Sequence, residues 1–123
     1  MSTQNGWIGV DLDGTLAQYD EWRGIEHIGE PVPLMLARVK AWLAEGRDVR
    51  VFTARVSRLL SPPDSPEYEE GVRAEQHIED WCQKHFGVVL PVQCHKDFGM
   101  TELWDDRCVQ VIFNTGLRAD GQL

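Results

Sequence analysis

Trp7-Ile8-Gly9-Val10, followed at once by Asp11-Leu12-Asp13-Gly14-Thr15, is the stretch that decides how the rest of the chain is read. The first four residues are a short apolar run with β-branched members, polar residues before it and carboxylates after it. A continuous apolar run of that length suits a strand buried on both faces of a parallel sheet. In open parallel sheets the ligand site lies beyond the carboxyl ends of the strands, at the switch point. Polar residues able to do chemistry are therefore expected directly after each apolar run.

Downstream, Tyr19 to Pro33 is irregular by composition, punctuated by Gly24, Gly29, Pro31 and Pro33. A helix is expected from about Pro33 to Glu45, with Leu36, Val39 and Leu43 on one face, Trp42 widening it, and Gly46 as a stop. A strand follows at Val49 to Thr53, then a loop at Ser57 to Pro66, which holds three prolines and three serines. Glu67 to Phe86 turns helical again through Tyr68, Val72, Ile78, Trp81 or Cys82, and Phe86, with acids at its start and Gly87 after its end. Further strands are expected at Val88 to Cys94, Leu103-Trp104 and Val109 to Phe113, before a polar tail over 114–123. Strands alternating with helices in 123 residues predict a single α/β domain, 1–123, with a mostly parallel sheet.

The strand ends carry the expected chemistry. They read Asp11-Leu12-Asp13-Gly14-Thr15, Thr53-Ala54-Arg55, His95-Lys96-Asp97 and Asp105-Asp106-Arg107. Gly14 permits a turn that lets one of Asp11 and Asp13 face a pocket as nucleophile or ligand while the other stands beside a leaving oxygen as acid and base. Crowded carboxylates repel one another and call for a cation. An oxygen-rich, sulfur-free set suits Mg²⁺, with Asp11, Asp13, Asp105 and Asp106 as its candidate ligands. Thr53 offers a hydroxyl and a backbone N–H to a phosphoryl oxygen, and Lys96 a point charge. Arg55 is the candidate anion rim. Trp22 and Arg23 border the same site: either they stack on a base and hold a second phosphate, or, as preferred, they cover the sheet edge and pair with Glu21 or Glu26.

The bulk properties set limits. A net charge of −8 argues against broad nucleic-acid binding, which needs a basic surface. No apolar run approaches a bilayer span, and Met1 to Gly6 is polar and uncharged, without the pattern of a signal peptide. A cytoplasmic location and no membrane association are expected. Cys82, Cys94 and Cys108 are an odd number, which favours free thiols. With His85 and His95 they lack the paired spacing of a zinc site.

The strand-end motifs, in order, resemble the four motifs of the haloacid dehalogenase-like superfamily: Asp11-Leu12-Asp13-Gly14-Thr15, Val51-Phe52-Thr53, Lys96, and Asp105-Asp106 after Leu103-Trp104. The resemblance implies a Rossmann-like three-layer α/β sandwich around a mostly parallel central sheet. It also implies a covalent aspartyl-phosphate, with Asp11 as nucleophile, Asp13 as acid and then base, and Thr53 and Lys96 on the phosphate. Mg²⁺ would be held by Asp11, the Asp13 backbone carbonyl and Asp105, with Asp106 second. Asp at the second position of the first motif favours phosphatase chemistry over dehalogenation, and neither intervening segment has room for a cap domain. An open site suits a large substrate such as a nucleic-acid end, a covering subunit as in a homodimer, or a loose preference among nucleotides and sugar phosphates. The competing readings are a phosphoacceptor signalling domain and a catalytically silent phosphate-binding module.

Overall fold

The computed structural model describes residues 6–122. The elements are β1 (Trp7–Asp11), α1 (Pro33–Ala44), β2 (Asp48–Phe52), a 3-10 helix (Ala54–Leu60), α2 (Pro66–Phe86), β3 (Val92–Gln93) and β4 (Met100–Trp104). All strand pairs are parallel and the order is β3-β2-β1-β4, with β1 inside the sheet. This is the expected α/β architecture, without a cap domain. No helix among the described residues is long and apolar enough to cross a membrane.

Strand parity decides what is covered. Ile8 pairs with Val49 and Val10 with Val51, so these four share one face. They are buried with Val39 of α1 and Ile78 and Cys82 of α2 in one cluster. Two successive right-handed crossovers in the same direction put both helices on that face. The opposite face carries Trp7, Gly9, Arg50 and Phe52. Its cover comes from the sheet itself: the Arg50 guanidinium lies 4.7 Å from the Trp7 ring, and the Phe52 ring 6.4 Å from it. Of the three expected layers, the described residues thus supply the sheet and one helical layer.

The helices begin and end for local reasons. Pro33 opens α1 with its fixed φ and its missing N–H, and the chain leaves through Gly46 at φ 79°. The Ser65 hydroxyl caps α2 by accepting from the Tyr68 N–H at 3.2 Å, and Gly87 closes it in the left-handed region. The buried stripe of α2 is Gly71, Ala74, Ile78, Trp81 and Cys82, and Val72 of the expected stripe is 44% exposed. The small residues explain the shift: a Cβ on Gly71 would stand 2.8 Å from the Leu59 backbone N, so only glycine lets α2 approach the 3-10 helix so closely. That 3-10 helix occupies the first part of the expected 57–66 loop.

Three strand boundaries differ from expectation. β3 is two residues long, because Val88 and Val89 lie half exposed ahead of it and Pro91 supplies only a carbonyl, to Val51 N–H. β4 begins three residues early, at Met100. No strand forms at Val109 to Phe113. Asn114 and Gly116 take positive φ there and fold the segment onto itself, with Ile112 N–H donating to Leu117 O and Ala119 N–H to Gln110 O.

The long loop after β1 is tied at its base. Gln18 N–H donates to Glu30 O, Val32 N–H to Leu16 O, and the Trp81 indole to Gly29 O at 3.0 Å. A Cβ on Gly29 would run into the Gln18 carbonyl, which is backbone and cannot swing aside. Gly29→Ala is expected to destabilise the protein by about 1–3 kcal/mol. A urea midpoint equal to that of the wild type would show that the loop base gives way freely.

Candidate active site

The carboxyl edge of the sheet opens into a cavity of about 510 Å³ whose walls include Asp11, Asp13, Thr53, Asp105 and Asp106. The chain turns sharply after β1: Leu16 N–H donates to Asp11 O, and Gly14 sits at φ 89° with its N–H on Ala17 O. A Cβ on Gly14 would stand 2.9 Å from an Asp106 carboxylate oxygen. Glycine is therefore required twice over, for the turn and for the approach of Asp106.

Asp11, Asp105 and Asp106 converge. One oxygen from each lies within 4.8 Å of the others. Thr15 stitches the two strands together: its hydroxyl oxygen accepts from Asp106 N–H at 3.0 Å and stands 3.3 Å from Asp11 Oδ2. Burial, then the charge of Asp105, then the hydrogen bond and charge of Asp106 push the Asp11 carboxyl up to about 7, against a weaker downward pull from Thr15. Three carboxylates with oxygens this close suit a hard divalent cation, which would relieve that strain.

Asp13 faces a different partner. Arg55 Nε and Nη2 each donate to it at 2.8 Å, in a two-pronged ion pair. The Arg55 side chain is only 5% exposed, lies 4.8 Å from the Trp22 ring centre and reaches Ile25 O. Arg55 is therefore committed to Asp13 and the loop, and is not the free rim cation expected of it. The Asp13 carboxylate likewise stands outside the acidic trio.

Thr53 is buried and lines the cavity. Its hydroxyl accepts from Arg55 N–H at 3.2 Å and keeps its own proton to donate. Its backbone N–H is already taken by Gln93 O at 2.8 Å, so the expected backbone donor is spent on the sheet.

Lys96 is exposed and does not line the cavity. The reason is topological. From Gln93, level with Phe52, the chain must reach Met100, level with Trp7 and three strands away. That is about 20 Å diagonally, against about 24 Å for the fully stretched segment. Asp97 pins the crossing by accepting from the Trp7 indole at 2.9 Å and Gly99 N–H at 2.8 Å. Little slack remains to turn Lys96 back to the site. Besides the ion-paired Arg55, Arg107, the residue after Asp106, lines the cavity.

Arg23 pairs with Asp20 at 2.6 Å and Glu21 at 3.8 Å, outside this cavity, and the Asp20 carboxyl falls to about 2 through the Arg23 hydrogen bond. Cys82 is buried, and desolvation raises its thiol to about 11, as expected of a packing cysteine. The sequence reading missed Tyr19 and Phe52 as cavity walls. Phe52 was legible as the last residue before Thr53, but no local signal marked Tyr19.

No known family model matches the chain, and no curated protein does so. Among solved structures, a conserved protein from Bacteroides thetaiotaomicron is similar at 19% identity and a TM-score of 0.49, over 85% of this chain and 78% of that one.

Proposed function

We propose that the chain is a Mg²⁺-dependent phosphomonoester hydrolase of the haloacid dehalogenase-like type, with Asp11 as nucleophile. The observation that carries this reading is the convergence of Asp11, Asp105 and Asp106 beside Thr53, at the carboxyl edge of a parallel sheet. The order of motifs along the chain supports it.

An Asp11 oxygen attacks phosphorus and the P–O ester bond breaks. Asp13 takes the proton of the bound phosphomonoester monoanion on a lone pair that Arg55 leaves free and passes it to the leaving alkoxide. Asp13, now the base, removes a proton from water, whose oxygen attacks the aspartyl-phosphate and releases inorganic phosphate and Asp11. Each Asp13 oxygen keeps a second lone pair beyond its bond to Arg55. The Thr53 hydroxyl and Arg107 supply a donor and a charge to the phosphoryl oxygens. Asp11, Asp105 and Asp106 would hold the Mg²⁺, which neutralises charge at the phosphoryl group.

The test is phosphate release from a panel of phosphomonoesters, with and without Mg²⁺. Release that needs Mg²⁺ and disappears in Asp11→Asn is the expected result. Silence across the panel would end the hydrolase reading. A stable phosphoprotein formed from a small phosphodonor would instead mark a phosphoacceptor domain.

A further inference from the structure

The phosphoryl group and its cation use only part of the cavity. Much of the remaining wall is aromatic: Tyr19, Trp22 and Phe52. Trp22 is 55% exposed and Tyr19 43% exposed, an unusual placement for rings that only fill space. Tyr19 also borders a second cavity of about 320 Å³, next to the first.

Trp22 is set rather than loose. The Arg55 guanidinium stands 4.8 Å from its ring centre, and Arg55 is in turn locked onto Asp13. The loop that carries the ring is tied at both ends, by the Gln18 to Glu30 and Val32 to Leu16 hydrogen bonds. A ring held in place before binding loses little entropy when a ligand stacks on it. Its position also has a chemical meaning. Asp13 serves the leaving oxygen in the mechanism above, and Arg55 touches both Asp13 and Trp22. The aromatic wall therefore lies on the leaving-group side of the phosphorus.

We infer that the substrate is a phosphomonoester whose leaving alcohol carries an aromatic ring, as a nucleoside 5′-monophosphate does, and that Trp22 with Tyr19 forms the subsite for that ring. The inference rests on the hydrolase reading and adds the substrate class to it.

The experiment compares kcat/KM for a nucleoside 5′-monophosphate, phenyl phosphate and glycerol phosphate, with Mg²⁺, in the wild type, Trp22→Leu and Trp22→Phe. Stacking of one base is worth enough to change the nucleotide-to-glycerol phosphate ratio about 5- to 150-fold. That ratio is expected to collapse in Trp22→Leu and to survive in Trp22→Phe. If phenyl phosphate follows the nucleotide, the ring alone is recognised; if it follows glycerol phosphate, the nucleoside is. Both outcomes support the subsite. A ratio unchanged in Trp22→Leu, or a wild type that prefers glycerol phosphate, overturns the inference and leaves the hydrolase standing. A wild type silent on all three overturns both.

Discussion

Asp11→Asn is expected to abolish turnover and, in the absence of a divalent cation, to make the protein more stable above pH 7. The amide cannot attack phosphorus, so kcat should fall by on the order of a million-fold, as when a catalytic unit loses its nucleophile. The stability gain follows from linkage. In the folded protein the Asp11 carboxyl is pushed up to about 7, against 3.8 for an ordinary aspartate. The folded state thus holds a proton that the unfolded state has already lost. That contribution is fully present below pH 4 and disappears as the pH rises through 7. With solvent screening at the cavity mouth allowed for, it amounts to about 1–2 kcal/mol. Asn carries no charge and escapes the loss. Mg²⁺ acts on the same balance, since binding displaces the proton, and it should tighten between pH 5 and 8. Thermal melts at pH 5 and pH 8, with and without Mg²⁺, read all of this. A wild type equally stable at both pH values without Mg²⁺, or an active Asp11→Asn, contradicts the account.

Arg55→Ala should produce the largest loss of stability. Arg55 is 5% exposed and Asp13 21% exposed, so truncation leaves a carboxylate in a poorly solvated place without its partner. Removing one member of a buried pair costs about 3–5 kcal/mol, and the partial exposure of Asp13 brings the expectation to about 2–3 kcal/mol. The ring of Trp22 loses its support in the same step. The Thr53 cap survives, because it uses the backbone N–H of residue 55. Turnover should fall about 100-fold, since the acid–base group loses its orientation. Arg55→Lys keeps the charge but not the two-pronged geometry, and should fall between. An unfolding free energy for Arg55→Ala, from urea titration, within about 0.5 kcal/mol of the wild type would show that solvent replaces the guanidinium.

What could be read from the sequence follows how local each cause is. β1, β2 and α1 lie close to where their apolar runs and stop residues put them, because run length, Pro33 and Gly46 act within a few residues. α2 ends before Gly87 as expected and starts one residue before the expected Glu67, at Pro66, with Ser65 of the expected loop as its cap. The strand-end rule placed Asp11, Asp13, Thr53, Asp105 and Asp106 around one cavity, because β1, β2 and β4 are parallel and end at the same edge. Lys96 escaped it because its position depends on how far the chain must travel between two edge strands, which no local pattern records. The Arg55–Asp13 pair spans 42 positions, and nothing near either residue announces it. Val109 to Phe113 had the residue types of a strand but follows β4 into a turn of its own.

The acidic trio also has a temporal meaning. Thr15 and Asp106 meet across 91 positions of chain. Loop-closure entropy makes contacts so distant in sequence costlier to close than nearer pairs such as β1 with β2, and they are expected to close later. β4 is the last strand in the chain and sits at the edge of the sheet, so Asp105 and Asp106 reach Asp11 only when that strand docks. Until then Asp11 is an unremarkable carboxylate, without the neighbours that raise its proton affinity. The same closure that completes the sheet brings together the charges that raise the Asp11 proton affinity.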